Sequence, residues 1–280
     1  MKALNLTPGF APIGLPEIAF KSFNFSGGEV HIKLAEAAEK VMITARLNSS
    51  DDVMRLLLAV DALRRSGTER ISAFIPYLPY ARQDRVMVPG EPLSVKVIAD
   101  LLNSCNFHRI YVYDVHSEVS LAVLNNVQLI TNESLVRTVL KDKRDYLLVS
   151  PDAGALKKIY KLAQAIQYTG DIVLCNKIRD VKDGQIKKID IDCKDLQGKE
   201  CIVVDDICDG GTTFVGVAKE LKGCNAGKIS LIVSHGIFSQ GEALLSEHLD
   251  HIYTTDSFRE VQSPLITTIP LAQLINIANR

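Results

Sequence analysis

Short apolar runs alternate with amphipathic stretches along the whole 280-residue chain. The apolar runs are rich in Val and Ile and nearly continuous, which is typical of strands buried on both faces of a sheet. The amphipathic stretches carry apolar residues at three- and four-residue intervals, which predicts helices. We predict strands at 40–45, 70–75, 109–113, 146–149, 172–174, 201–204 and 229–233, and helices at 52–65, 93–103, 155–165 and 214–221.

This alternation of strands and helices predicts an α/β fold, in which mainly parallel β-sheets are flanked by helices. A polar and charged stretch at 131–143 interrupts the alternation near the middle of the chain. Each half then has the size of one ordinary domain. We therefore predict two tandem domains, over residues 1–132 and 133–280.

Composition narrows the classes of function. Hydrophobic residues make up 47% of the chain and the formal net charge is −1, so a core is available and no basic field favours nucleic acid. No apolar run approaches the length of about 18 residues that a membrane span needs, and the N-terminus lacks a signal-peptide core. The six cysteines form no Cys-x-x-Cys pair, which favours a reducing compartment. We expect a cytoplasmic protein that binds neither nucleic acid nor membrane.

The strongest chemical motif spans Cys201–Phe214, where an apolar strand leads into acids, glycines and threonines before a helix. The glycines let a ligand approach the backbone closely, and the first N–H groups of the helix form an anion cradle. The carboxylates can accept hydrogen bonds from vicinal hydroxyls, so the motif predicts a ribose 5-phosphate site. A plain strand–turn–helix junction with Asp209 as its cap is the alternative, but a cap needs one acid rather than three. The residues concerned are Asp205, Asp206, Asp209, Gly210, Gly211, Thr212 and Thr213.

The Cys201–Phe214 motif resembles the signature of the type I phosphoribosyltransferases. Other segments, in the same order along the chain, are similar to those of the ribose-phosphate pyrophosphokinases, also called phosphoribosyl pyrophosphate synthetases. These segments are Phe74–Arg85, Asp114–Glu118, Ser150–Gly154 and Ser234–Ser239. The resemblance runs from about residue 23 to the C-terminus. It implies two tandem phosphoribosyltransferase-like domains, with ATP-contacting segments in the first and the sugar-phosphate and catalytic loops in the second.

The resemblance also implies an activity, in which the β,γ-diphosphoryl group of Mg-ATP moves to the C1 hydroxyl of ribose 5-phosphate. Such a transfer depends on alignment and charge neutralisation, which two cations on a loop after a strand would supply. Magnesium prefers oxygen ligands, so Asp152 is a stronger candidate than His116. The implied roles are ribose 5-phosphate binding for Asp205, Asp206, Asp209 and 210–213, ATP binding for Phe25, Glu29, Arg82 and Gln83, catalysis for Lys177 and Arg179, and Mg²⁺ binding for His116 and Asp152.

Three segments depart from the pattern of that family. Gly27 stands where an Asp or Asn is usual, which removes an acceptor for the adenine amino group. A nucleoside triphosphate other than ATP is therefore an open alternative as the diphosphoryl donor. The apolar segment Val86–Pro92 replaces a charged loop, so regulation by phosphate and ADP is open as well. In Asp209–Thr213 one hydroxyl moves from the second position to the fourth, where it can still serve a phosphate.

The sequence allows more than one oligomeric state and more than one function. The resemblance implies a dimer-based homo-oligomer, up to a hexamer, in which a neighbour's Phe25–Glu29 region completes the ATP site. One alternative function is a phosphoribosyltransferase, although it would not need Ala81–Arg85 or Asp114–Glu118. Another is a non-catalytic subunit that regulates a true synthetase, although retention of Lys177 and Arg179 disfavours it.

Overall fold

The computed structural model describes residues 1–179, 186–191 and 195–277, with the side chains at 177–179 and 186–188 outside that description. The chain forms two compact units, each described here by itself. Unit 1 comprises Met1–Thr131 with the segment from Leu271, and unit 2 comprises Asn132–Pro270. We expected the segment from Leu271 to belong to the second domain, 133–280, but it belongs to unit 1. Leu271 and Ile277 are buried there in a cluster around Phe74.

Unit 1 begins with a short strand and a hairpin and continues as alternating strands and helices. Its strands are β1 (Lys2–Asn5), β2 (Phe20–Asn24), β3 (Val30–Leu34), β4 (Lys40–Thr44), β5 (Arg70–Ile75), β6 (Arg109–Tyr113) and β7 (Val127–Ile130). Its first helices are α1 (Ser50–Arg65), α2 (Ser94–Ser104) and α3 (Glu118–Val123).

Unit 2 repeats this plan with longer strands. Its helices are α4 (Glu133–Leu140), α5 (Leu156–Ile166), α6 (Thr212–Gly223) and α7 (Ala243–Ser246). Its strands are β8 (Tyr146–Ser150), β9 (Ile172–Arg179), β10 (Ile186–Ile191), β11 (Glu200–Cys208), β12 (Ile229–Gly236), β13 (His251–Thr255) and β14 (Ile266–Ile269). A last helix, α8 (Leu271–Leu274), returns to unit 1.

The unit 1 sheet is parallel throughout, in the order β1-β4-β5-β6-β7, with β2 and β3 forming a separate antiparallel hairpin. After their first residues, β4 and β5 are completely buried, as expected of strands covered on both faces. Helix α1 begins after Ser49, whose Oγ accepts a hydrogen bond from the Asp52 N–H at 3.2 Å. This N-cap fixes the residue at which α1 begins after β4.

The unit 2 sheet has the order β10-β9-β8-β11-β12-β13-β14, and β10 alone runs antiparallel to its neighbour. Strand β11 lies between β8 and β12, so the motif that follows it is carried by a central strand. Loops at the carboxyl ends of central parallel strands are the usual place for ligands in such sheets. The α/β prediction, with mainly parallel sheets and flanking helices, is confirmed. No described helix has the length and apolar character that crossing a membrane requires.

Candidate active site

The turn between β11 and α6 is shaped by one glycine. Gly211 has φ +81°, a left-handed conformation that glycine adopts without strain. A Cβ built there would lie 2.8 Å from Leu245 Cδ2, so the turn has no room for a side chain. Gly210 is different, because its Cβ would make only an ordinary contact at 3.6 Å with Gln240 Cγ.

The start of α6 offers backbone donors to an anion. Its first intrahelical hydrogen bonds run from the N–H groups of Phe214 and Val215 to the carbonyl of Gly211, at 2.9 and 3.1 Å. The N–H groups of Thr212 and Thr213 precede these donors, where a helix leaves its N–H groups without intrahelical partners. Together with the helix dipole and the two hydroxyls, they lie where the sequence predicts an anion cradle, and anion binding there stays a prediction.

The first two acids of the motif lie inside β11, which corrects our expectation that they follow the strand. Pairing with β12 continues to Cys208, opposite Gly236, so Asp205 and Asp206 are strand residues. Successive strand side chains leave the backbone in opposite directions. The Asp206 N–H donates to Asp205 Oδ1 at 2.9 Å, while the side chain of Asp206 is only 6% exposed.

A buried carboxylate requires a partner, and the partner here is a residue that sequence reasoning missed. Lys158 Nζ donates to Asp206 Oδ2 at 2.6 Å from the first turn of α5. The lysine side chain is 40% exposed, so the pair extends from the interior to the surface. Lys158 has no distinguishing signal in the sequence, because lysines also occupy positions 157 and 161.

The three acids of the motif make the carboxyl end of β11 electronegative. Burial raises the pKa of the Cys208 thiol to about 12, and the negative charges of Asp205 and Asp209 add to this effect. Asp209 is partly exposed at the start of the turn, and its carbonyl accepts from the Ser239 N–H at 3.2 Å. Hydroxyl groups that donate to these carboxylates would therefore bind favourably.

The loop after β8 carries Asp152. Its Oδ1 accepts the Ala155 N–H at 2.9 Å, and its carbonyl accepts the Ser150 hydroxyl at 2.9 Å. These bonds bend the loop tightly at the start of α5, and a Cβ at Gly154 would lie 3.3 Å from Asp152 Oδ1. The carboxylate is thus held in place by the backbone around it.

Lys177 and Arg179 lie on a strand and not on the loop that we expected. Strand β9 extends beyond the predicted residues 172–174 to Arg179, because β10 pairs with it. In this pairing Lys177 is opposite Ile189 and Arg179 is opposite Ile186. The side chains of the two candidate catalytic residues lie outside the described part of the chain.

In unit 1, Phe25 and Glu29 close the β2–β3 hairpin. The Phe25 N–H donates to the Glu29 carbonyl at 2.9 Å. The Phe25 ring is half-exposed and meets Phe23 and His31 at centroid distances of 5.5 Å or less. The Glu29 carboxylate folds under Gly27, where a Cβ would lie 3.2 Å from its Oε2.

Arg82, Gln83 and His116 are exposed residues at the carboxyl ends of neighbouring strands β5 and β6. The segments that carry them are joined, because the Ser117 hydroxyl donates to Asp84 Oδ2 at 2.7 Å. A hydrogen bond from Arg85, aided by that of Ser117, holds the pKa of the Asp84 carboxyl below its usual range, although partial burial opposes the shift. Unit 1 therefore brings these candidates to one edge of its sheet, while Asp152 belongs to unit 2.

The described residues contain no group of three or more His, Cys, Asp and Glu side chains that could hold a metal ion. A protein cage of the kind that binds structural metals is therefore not formed by them. Magnesium is commonly bound through one or two carboxylates with waters and substrate phosphates. The oxygen donors of Asp152 fit that mode, and the imidazole of His116 fits it less well.

A central parallel strand that leads through three acids and a glycine turn into a helix defines a phosphoribosyltransferase-type protein. In agreement, residues 128–263 match the phosphoribosyl transferase domain family. Residues 11–105 match the N-terminal domain of ribose phosphate pyrophosphokinase. The chain is 31% identical over 268 residues to the ribose-phosphate pyrophosphokinase of Mycoplasma pneumoniae, covering 89% of this chain and 80% of the relative.

The enzyme of the same name from Pasteurella multocida is 31% identical over 269 residues, covering 91% of this chain and 80% of the relative. The crystal structure of phosphoribosylpyrophosphate synthetase from Mycobacterium smegmatis is 23% identical, and covers 98% of this chain and 96% of its own with a TM-score of 0.84. It shows the same fold. The chain belongs to the ribose-phosphate pyrophosphokinase family, and the prediction of two phosphoribosyltransferase-type domains is confirmed.

Proposed function

We propose that this protein is a ribose-phosphate diphosphokinase, which transfers the β,γ-diphosphoryl group of ATP to the C1 hydroxyl of ribose 5-phosphate. The products are phosphoribosyl pyrophosphate and AMP. The observation that carries the proposal is the acid–glycine–threonine turn between β11 and α6 in a chain of this family. Its anion cradle suits the 5-phosphate, and its acids suit the hydroxyls of the sugar.

In the proposed sugar site the 5-phosphate binds the turn Gly210–Thr213, and Asp205, Asp206 and Asp209 accept the ribose hydroxyls. The left-handed Gly211 supports this assignment, since its conformation allows the tight turn that leads directly into the first N–H groups of α6. Charge-assisted hydrogen bonds to three carboxylates would fix the ring with C1 directed outward.

The proposed reaction is an in-line displacement at the β-phosphorus of ATP. A bond forms between the C1 oxygen and the β-phosphorus, the bond from the β-phosphorus to the α,β-bridging oxygen breaks, and the hydroxyl proton is released to solvent. AMP leaves with the bridging oxygen. Lys177 and Arg179 are proposed to neutralise the charge that develops on the transferred group, because a point charge and a bidentate guanidinium suit phosphoryl oxygens.

In unit 1 we assign nucleotide binding to Phe25, Glu29, Arg82 and Gln83. The half-exposed Phe25 ring is a surface on which a base can stack. The Glu29 carboxylate under Gly27 supplies an acceptor in the space that a side chain at position 27 would occupy. The guanidinium of Arg82 suits the triphosphate.

Magnesium is the proposed cofactor, with Asp152 as its protein ligand and His116 as a second or water-mediated one. When bound, it polarises phosphate oxygens and neutralises their charge. The protein's own contribution is to hold the Asp152 carboxylate still, which its hydrogen bond with Ala155 supports.

A cytoplasmic, dimer-based homo-oligomer is part of the same proposal. The aromatic cluster of Phe23, Phe25 and His31 on an exposed hairpin supports it, because a neighbouring copy could cover these rings. No disulfide joins the described cysteines to one another, which suits a reducing compartment; they are Cys105, Cys175, Cys201, Cys208 and Cys224. Light scattering on the purified protein measures the assembly.

The test is to incubate purified protein with ribose 5-phosphate, Mg²⁺ and a panel of nucleoside triphosphates and to separate AMP from ADP. We expect AMP and phosphoribosyl pyrophosphate in equal amounts. Lys177→Ala should lower kcat at least about 100-fold, whereas Lys219→Ala, an exposed lysine on α6, should leave it unchanged. Folded protein that makes no monophosphate with any donor would refute the proposal. Consumption of phosphoribosyl pyrophosphate with a free base would favour a phosphoribosyltransferase, and activation of an active synthetase would favour a regulatory subunit.

A further inference from the structure

One ion pair links the sugar-phosphate motif to a helix that the proposed reaction has not yet used. Lys158 Nζ lies 2.6 Å from Asp206 Oδ2. Lys158 is the third residue of α5, whereas Asp206 is the seventh residue of β11, 48 positions later in the chain. Local sequence therefore does not bring the two together, and the packing of α5 on the sheet does.

The pair is asymmetric in its exposure to solvent. The carboxylate of Asp206 is 6% exposed, whereas the side chain of Lys158 is 40% exposed. A charge that loses its water needs a partner of opposite sign, so the buried Asp206 depends on the lysine more than the lysine depends on it. A bond of this kind also selects one rotation of the carboxylate about its Cβ–Cγ axis.

The lysine itself is held by rigid structure. Its neighbour Ile159 is 2% exposed and anchors this turn of α5 in the interior of unit 2. The helix start is fixed by the hydrogen bond from the Ala155 N–H to Asp152 Oδ1. The ammonium therefore comes from an element whose backbone cannot easily shift, which is what an accurate binding group requires.

We propose that Lys158 is a positioning residue for the vicinal diol of the sugar phosphate, because it holds the buried Asp206 carboxylate in the orientation that accepts the sugar hydroxyls. The inference rests on the proposed function. It extends that function to a residue outside the Cys201–Phe214 motif and links the loop after β8, through α5, to the sugar site. Lys158 acts through Asp206 and needs no contact with the substrate.

The experiment measures steady-state kinetics of the full-length chain with each substrate varied in turn. In Lys158→Met, which keeps an unbranched apolar stem one atom shorter and removes the charge, we expect the KM for ribose 5-phosphate to rise on the order of 10- to 100-fold, the scale of a charge-assisted hydrogen bond. The KM for ATP should stay within about twofold, because the nucleotide residues belong to unit 1. Lys158→Arg should restore the sugar KM to within about threefold of the wild-type value.

Lys161→Met is the matched control, since it removes an exposed lysine one turn further along α5. It should leave both KM values and kcat unchanged. Thermal unfolding of each variant verifies that the protein is folded. If Lys158→Met does not fold, Lys158→Gln, which keeps a donor without the charge, takes its place with the same expected selective change in the sugar KM.

The outcomes separate the two proposals. If wild-type protein forms AMP with ribose 5-phosphate and the folded variant keeps its sugar KM within twofold, the positioning role is refuted while the function stands. The same holds if both KM values change together and Lys158→Arg restores neither, because that pattern indicates a purely structural pair. Wild-type protein that forms no AMP refutes the proposed function and this inference together.

Discussion

Replacing Gly211 with alanine forces a Cβ into a position that both the backbone and a neighbouring side chain oppose. The φ of +81° is left-handed, which costs about 1–2 kcal/mol for a residue with a Cβ. The new atom would lie 2.8 Å from Leu245 Cδ2 and 3.1 Å from its Cγ. Leu245 is 1% exposed and cannot retreat into solvent, so overpacking adds about 1–3 kcal/mol. We expect the substitution to lower the free energy of unfolding of unit 2 by about 2–5 kcal/mol.

Thermal unfolding monitored by circular dichroism measures this loss. For a unit of this size the expected decrease in Tm is roughly 5–15 °C. Gly210→Ala is the matched control, because its Cβ makes an ordinary 3.6 Å contact with Gln240 and its φ is not left-handed. The control should stay within about 1 kcal/mol of wild type. Equal Tm values for the two variants would refute the reasoning.

A double-mutant cycle separates the clash from the backbone strain. Leu245→Ala alone should destabilise by about 2–5 kcal/mol, since it removes a buried leucine. Combined with Gly211→Ala, it removes the atoms that clash with the new Cβ, so the double variant should be more stable than the sum of the single changes predicts. A coupling of about 1–3 kcal/mol is expected. If the free-energy changes of the two single variants simply add, the clash with Leu245 does not contribute to the cost of Gly211→Ala.

Three further predictions concern other groups. The pKa of Cys208, raised to about 12 by burial and nearby acids, should keep this thiol unreactive toward alkylation at pH 8 in folded protein, as peptide mapping would show. Stability that the neutral thiol provides should be lost as the pH rises from about 9 to 12, because the unfolded chain ionises first; Cys208→Ala should weaken that dependence in denaturant titrations. Burial, aided by a neighbouring lysine charge, lowers the pKa of His251, so the folded state favours the neutral imidazole. The stability that this imidazole contributes is present above about pH 6.5 and is lost as the pH falls through the lowered pKa. His251→Gln should reduce this loss of stability at low pH. Ser117→Ala removes both the hydrogen bond to Asp84 and the cap of α3, and should cost unit 1 about 1–2 kcal/mol in urea unfolding, while Ser104→Ala, which loses only an exposed bond, should cost less.

The central strands could be predicted from the sequence because they are buried on both faces. The predicted ranges 70–75 and 109–113 agree with β5 and β6, since every position after the first is apolar or small and buried. The β2–β3 hairpin was missed for the opposite reason. Its strands are mostly exposed, so polar residues interrupt any apolar run and leave no signal of a sheet.

Strand lengths in unit 2 could not be predicted, because partner strands determine them. Asn176, Lys177 and Arg179 interrupt the apolar run beyond Leu174, yet β9 continues to Arg179 since β10 supplies the pairing. In the same way Asp205 and Asp206 remain in β11, because β12 offers hydrogen-bonding partners as far as Gly236. Composition indicates which residue types can form the site, whereas the geometry of pairing determines whether each side chain is buried or exposed.

The error about the end of β11 also concealed Lys158. If Asp206 followed the strand, as we expected, and faced solvent, water would solvate its carboxylate and no partner would be required. Inside the strand the same carboxylate is 6% exposed and needs a cation, and α5 provides one. A lysine on an amphipathic helix is ordinarily a solvated residue. Lys158 differs because it is the ion-pair partner of the buried Asp206. The three acids of the motif are therefore not equivalent. Substrate binding by Asp206 should depend on Lys158, which lies outside the motif.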